Sequence, residues 1–306
     1  MTRLRRLKSG DRVALVAPAS SFPAEEVPAG VAELARLGLE AVYDQSIFDK
    51  DRFVAGPVET RVRAIVDAWE DPSITALIAI RGGYGSAQLL PFLDPKMMVS
   101  ARKALIGYSD ITAILSVYQR HGLAAIHGPM IDRRISKGPA AYDEESFRKV
   151  MMSSEPAGDL TPDQVETLHG GTASGILCGG TLTQLMSSMG TPWNFNPPPG
   201  AVLFIEDIGE RPYRIHRMLT QAAQAGIFMN TAAIVFGEFP GCNEPAGDPA
   251  IRDVLRDFTN EFRGPVLFNF PSGHTSGPTW TLPFGVKAEV VGGPSASVRI
   301  LEAAVE

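Results

Sequence analysis

Cysteine is nearly missing from this 306-residue chain: only Cys178 and Cys242 occur, in unrelated contexts and with no CxxC pair. That excludes a disulfide framework, argues against a zinc knuckle and fits a reducing compartment. Histidine is scarce too, with five in all, no HExxH and no pair at helical spacing. Metal chemistry therefore has little to build on, and no metal or cofactor is expected. Long apolar runs are absent. None approaches the roughly 20 residues that a membrane span needs. The basic start, Met1 to Lys8, imitates a signal n-region, but the apolar run Val13 to Ala17 is too short to follow it as an h-region. A cytoplasmic protein without a membrane partner is expected. An excess of positive charge is also missing: Lys+Arg 28 against Asp+Glu 34 leaves a net charge of -6. That balance offers no extended surface for nucleic acid. What is present is an ordinary globular composition, 44% hydrophobic and 20% charged, in a chain long enough for two cores. A small, locally recognised substrate suits it best.

Up to about residue 135, short β-branched runs alternate with amphipathic stretches, the signature of a parallel sheet with crossover helices. Strands are predicted at Val13 to Ala17, Leu39 to Tyr43, Ile74 to Ile80 and Lys103 to Gly107. Helices are predicted over EVPAGVAELARLG, closed by Gly38, over VETRVRAIVDAWEDP and over SAQLLPFL. Residues 136–171 are poor in apolar periodicity and rich in Pro, Gly, Ser and acids, which predicts a connector with one helix near Glu144 to Met152. From 172 to 306, strand-like pieces (AVLFIED, TAAIVFGEF, EVVGG, SVRILEA) mix with helices at about 179–189, 212–225 and 249–262. The expected architecture is α/β: an N-terminal parallel-sheet domain over 1–135, a connector, and a mostly β, α/β domain over 172–306.

Ligands of open α/β sheets bind beyond the carboxyl ends of the strands, so strand-to-helix turns are searched first. In KALIGYSDITAIL a strand runs into Ser109 at the start of a helix, which exposes the hydroxyl and puts the Asp110 N–H where an oxyanion could form. The same residues read equally as an ordinary N-cap, and pattern alone favours the cap. In ALIAIRGGYGSAQLL, Arg81, Gly82, Gly83, Tyr84 and Gly85 form a glycine-rich turn that could aim N–H groups at an anion. No lysine follows, so it is not a P-loop. Facing Ser109, it would supply a second oxyanion donor from Gly83, and Arg81 could meet a carboxylate. In AVLFIEDIGERPYRIHRML a strand ends at Glu206 and Asp207, placed either to orient an imidazole or simply to complement the next helix.

A nucleophilic serine needs a base. His121, His169 and His216 lie at a helix end, in the connector and among arginines; His127, after LAAI, and His274, in FPSGHTSG, are the credible candidates. Pattern does not choose between them.

Taken together, GDRVALVAPAS, IRGGYGSAQLL, LIGYSDITAIL, HGPM, GGTLTQL, FIEDIGERPYRIHRML and FPSGHT resemble the LD-carboxypeptidase family of serine peptidases, over most of the chain and in the family's order. The resemblance implies an N-terminal domain of flavodoxin- or amidotransferase-like type and a Ser-Glu-His triad. Carried over, it assigns the nucleophile to Ser109, the carboxylate to Glu206 and the base to His274, with Asp110 and Gly83 as oxyanion donors. It implies a murein tetrapeptide as substrate, cut to release D-alanine in cytoplasmic wall recycling, and a homodimer. His127 becomes a pocket-lining or structural residue. His216 stands in YRIHRML where an acid is expected, which bears on specificity.

Two rivals share these features. One is a microcin C immunity-type hydrolase cutting an aminoacyl-nucleotide amide, for which Trp193 or Trp280 would have to stack on a base. The other is a non-catalytic two-domain protein closing on a small ligand.

Overall fold

A computed structural model describes residues 1–306. Apolar runs become strands and amphipathic runs become helices in near-strict alternation at first: β1 Arg12–Val16, α1 Glu26–Arg36, β2 Glu40–Val42, α2 Val58–Glu70, β3 Ile74–Ala79, α3 Pro95–Ala101, β4 Ala104–Gly107, α4 Thr112–Arg120 and β5 Ala125–His127. Gly38, at φ +86°, ends α1 as its sequence signal anticipates. The stretch SAQLLPFL is not an α-helix. Ser86–Phe92 form a 3-10 segment, because Pro91 interrupts the hydrogen-bond ladder.

The segment 136–171 is more ordered than a connector: α5 Glu144–Met151 is followed by β6 Gly158–Leu160 and β7 Glu166–His169. Next come β8 Gly171–Thr181, α6 Leu182–Ser187, β9 Ala201–Glu206, α7 Pro212–Gln224, β10 Thr231–Phe236, α8 Ile251–Phe258, β11 Val266–Phe268, β12 Leu282–Phe284, β13 Lys287–Gly292 and β14 Ser297–Ile300. The helix expected from about 179 starts only at Leu182; Gly179 and Gly180 close strand β8 instead. No helix is long and apolar enough to cross a membrane.

Two sheets result. The first runs β12-β5-β4-β3-β1-β2 and is parallel except for β12, which the last quarter of the chain contributes antiparallel to β5. The second runs β6-β14-β13-β8-β9-β10-β11-β7, with a parallel centre from β8 to β11 and antiparallel flanks. One continuous core holds both: Ile106 and Ile126 of the first sheet belong to the same buried cluster as Val202, Phe204 and Val235 of the second. A smaller core lies on the other face of the second sheet, where Leu203, Ile205 and Ile234 meet Leu185, Leu219 and Leu255. The alternation along β9 thus feeds two cores at once.

This seam is closed by glycine. Gly179 sits at φ +135°, and a Cβ there would lie 1.8 Å from the Phe204 carbonyl oxygen. Both the backbone conformation and the space exclude a side chain. Gly179→Ala is expected to destabilise the fold by at least about 3 kcal/mol, read as a lower midpoint in urea unfolding followed by circular dichroism.

Candidate active site

Strand β4 delivers Tyr108 in extended conformation (φ -149°) and then breaks at Ser109, whose φ of +62° is in the left-handed region. A non-glycine residue held there is strained, and the surroundings must impose the conformation. They do so from two sides. Ser109–Ile111 form a 3-10 turn leading into α4, and the turn is pinned to the glycine-rich loop: Ser86 N–H donates to Asp110 Oδ2 at 2.7 Å and the Ser86 hydroxyl donates to the Asp110 carbonyl. Gly82 presses on Ser109 so closely that a Cβ on it would lie 2.7 Å from Ser109 Cβ and 3.0 Å from Oγ. The glycine-rich turn therefore does face the serine. The N–H groups of Gly83 and Asp110 find no acceptor within the chain, leaving both donors for an anion.

Arg61 holds the far side of that turn. It is buried on the core face of α2 and donates to the carbonyls of Gly56, Pro18 and Gly85 at 3.0, 2.8 and 3.0 Å, and to Gln88 at 2.7 Å. Its position in the apolar phase of VETRVRAI, beside Val58, Val62 and Ile65, was the sequence signal that it does more than solvate a helix. Arg81 lies against a buried acid: its Nε lies 3.4 Å from Oδ2 of Asp132, and Nη1 donates to the Ser21 carbonyl at 3.4 Å.

The second half of the site comes from β9 and the loop after β11. Glu206, the last residue of β9, is fully buried. Its Oε2 accepts the His274 backbone N–H at 3.0 Å and lies 2.8 Å from Nδ1 of the same residue, while Oε1 accepts the Thr181 hydroxyl from the end of β8. Burial alone would raise this carboxyl, but the charge and hydrogen bonds of His274, with His127 and Thr181, hold it below its ordinary value. For His274 burial opposes the charge, and the Glu206 carboxylate outweighs it, so the imidazole titrates above 6.5. The pair is an anion locking an imidazole with Nδ1 inward and Nε2 outward. Asp207 serves a different purpose: it accepts from the Thr183 N–H and hydroxyl at 2.9 and 2.7 Å, capping α6. Burial first, and then Glu206, push it up to about 6.

The Tyr108 ring joins the halves, standing edge-on to His274 with centroids 5.0 Å apart. The structure thus brings Ser109, Gly82, Glu206 and His274 to one seam, with the imidazole hydrogen-bonded to Glu206 and not to Ser109 Oγ. A strained hydroxyl, two free N–H donors and a carboxylate-oriented imidazole are the parts that acyl transfer requires.

His127 is the other histidine of the seam. It is fully buried among Tyr108, Phe204 and Phe284, and neither ring nitrogen has a partner. His216 is exposed on α7 and edge-on to Phe258. Trp280 packs edge-on to Phe270, its carbonyl accepting the Ser272 hydroxyl at 2.8 Å, and Trp193 is half-buried against the main core. Both tryptophans are anchored by packing. Thr181 and Tyr108 escaped notice in the sequence, the first because its strand is glycine-rich.

Family models for the LD-carboxypeptidase N-terminal and C-terminal domains match residues 13–128 and 174–290. The chain is 33% identical over 288 residues to the murein tetrapeptide carboxypeptidase of Pseudomonas aeruginosa, covering 92% of this chain and 93% of that protein. It is 26% identical over 302 residues to the microcin C7 self-immunity protein MccF of Escherichia coli, covering 90% and 88%. Among solved structures, MccF in complex with aspartyl sulfamoyl adenosine matches with a TM-score of 0.92 at 24% identity over the whole of both chains, a likeness of fold. The muramoyltetrapeptide carboxypeptidase from Oxalobacter formigenes matches with a TM-score of 0.83 at 29% identity, over 95% and 99% of the two chains.

Burial drives the His127 titration down to about 4 against an ordinary 6.5; Glu206 opposes this and His274 adds to it. Between those values the unfolded chain binds a proton that the folded one refuses. The His127 contribution to stability is therefore complete above pH 6.5 and is lost as pH falls towards 4. In His127→Leu the fall in unfolding free energy over that window is expected to be shallower than in the wild type, measured by urea unfolding at stepped pH.

Proposed function

The chain belongs to the LD-carboxypeptidase family, and from that premise we propose that it is a serine carboxypeptidase that releases the terminal D-alanine from a murein tetrapeptide, with Ser109 as nucleophile, His274 as base and Glu206 as orienting carboxylate. The observation that carries this reading is the buried Glu206–His274 pair opposite a serine held at positive φ. In the mechanism, His274 Nε2 takes the Ser109 proton as Oγ attacks the scissile carbonyl, and the charge on the carbonyl oxygen is met by the N–H groups of Asp110 and Gly83. Glu206 accepts the Nδ1–H and stabilises the imidazolium. Collapse breaks the C–N bond, and His274 returns the proton to the departing D-alanine amine. Water then attacks the acyl-serine by the same route in reverse.

Arg81, whose charge Asp132 shares, is the proposed partner of the substrate's free carboxylate. The proposed setting is cytoplasmic recycling of wall peptides by a homodimer. A second reading is an immunity-type hydrolase cutting an aminoacyl-nucleotide amide, supported by the likeness of fold to MccF. Against it, both tryptophans considered for base stacking are anchored by packing. A non-catalytic binding protein has no use for a strained serine next to an oriented imidazole.

The test is D-alanine release from murein tetrapeptide, with an amide-linked aspartyl nucleotide as the competing substrate. Ser109→Ala is expected to reduce release by roughly 10⁴-fold or more, and Glu206→Gln by a smaller but still large factor. Cleavage of the nucleotide amide alone would transfer the assignment to the second reading; serine-independent cleavage, or none, would overturn both. Because the base must be neutral and its titration is raised, kcat/KM is expected to climb with pH through a midpoint above 6.5.

A further inference from the structure

Arg134 has no carboxylate within ion-pair distance, unlike Arg36, Arg211 and Arg299. Its donors go instead to uncharged acceptors. Nε donates to the Tyr108 hydroxyl at 3.2 Å, Nη1 to the carbonyls of Ala141 and Gly277 at 3.3 and 3.0 Å, and Nη2 to those of Gly273 and Thr275 at 3.4 and 3.0 Å. A guanidinium carries five N–H donors in a rigid plane. All five are used.

The acceptors are informative. Three belong to residues 273–277, the irregular loop that carries His274. That loop includes Gly273 at φ +80°, where a Cβ would meet both Glu206 and His127. The fifth acceptor is Tyr108, which stands edge-on to His274 and immediately precedes Ser109. A single planar group therefore holds the backbone on both sides of His274, at Gly273 and Thr275, together with Tyr108, the residue before Ser109. We propose that Arg134 is a positioning residue: its guanidinium sets the His274 loop against the Ser109 turn, and so fixes the distance across which the proton moves. This rests on the serine-peptidase reading for its consequence in catalysis, but not for its effect on the loop.

The charge has a second effect. The groups facing His274 are Glu206 and Asp207, which favour its protonated form, Arg134, which opposes it, and His127 and Tyr108, both held neutral by burial. Removing the cation should move the His274 titration up, whereas moving the loop should change turnover.

Two variants separate these effects. Arg134→Gln removes charge and fork; Arg134→Lys keeps the charge but offers a compact ammonium with three donors. Expected for Arg134→Gln is a loss in kcat of roughly 100-fold with KM little changed, with the His274 resonance titrating at higher pH by NMR. Expected for Arg134→Lys is a loss of roughly tenfold or more in kcat, with the titration near its wild-type position. Wild-type kcat in either variant, or only a lowered melting temperature, overturns the proposal. If Arg134→Gln does not fold, the lysine variant decides. If the wild type cleaves no substrate, the serine-peptidase reading fails separately. The resting spectra still decide the loop: unchanged backbone signals for 273–277 in the variants would overturn positioning.

Discussion

A carboxylate with no exposed surface is the constraint around which the seam is organised. Removing Glu206 from water costs several kcal/mol unless its lone pairs are occupied, and the occupants come from different parts of the chain: the Thr181 hydroxyl from one strand, and the His274 backbone and ring from a loop almost seventy residues further on. Satisfying one buried charge thus dictates where β8 ends, where β9 ends and how the following loop must fold back. Gly237 and Gly273 yield the space, since a Cβ on either would run into Glu206. The imidazole is oriented as a by-product of solving the carboxylate's solvation.

The serine side obeys a complementary logic. Its hydroxyl is presented by backbone strain, and strain persists only where neighbours over-determine the conformation. Gly82 leaves no room for Ser109 to relax, and Asp110 is held to Ser86 by paired hydrogen bonds. Two arginines then brace the loops, Arg61 on the glycine-rich side and Arg134 on the histidine side, each spending its donors on uncharged acceptors, carbonyl groups above all. Neither functions as an ion-pair partner.

Much of this was legible in the residues. The four strands read from β-branched runs lie within a residue or two of β1 to β4; for β1, β3 and β4 this is because buried parallel strands leave an uninterrupted apolar trace, whereas β2 is a half-exposed edge strand. The strand-to-helix turns searched first hold Ser109, the glycine-rich loop and Glu206, and the fold gathers all three at the seam. What pattern could not provide was long-range pairing. Between His127 and His274 only the family resemblance decided, since their separation from Glu206 in sequence says nothing of distance in space. Strand β8 was obscured by its glycines, which mimic a loop while serving close packing. Strand β12 was invisible as a member of the first sheet, for nothing local in LPF announces a partner some 155 residues earlier. The 3-10 segment after the glycine-rich turn shows the opposite failure, where helical periodicity was read through a proline.

The late return of β12 to the first sheet also orders events during synthesis. Ser109 leaves the ribosome long before Glu206, His274 follows, and only then does the strand arrive that seals β5 against its edge. A nascent or truncated chain therefore carries Ser109 without Glu206 and His274, and an N-terminal sheet with an open border. Such a fragment is exposed to edge-to-edge association, and the border closes only when β12 pairs with β5.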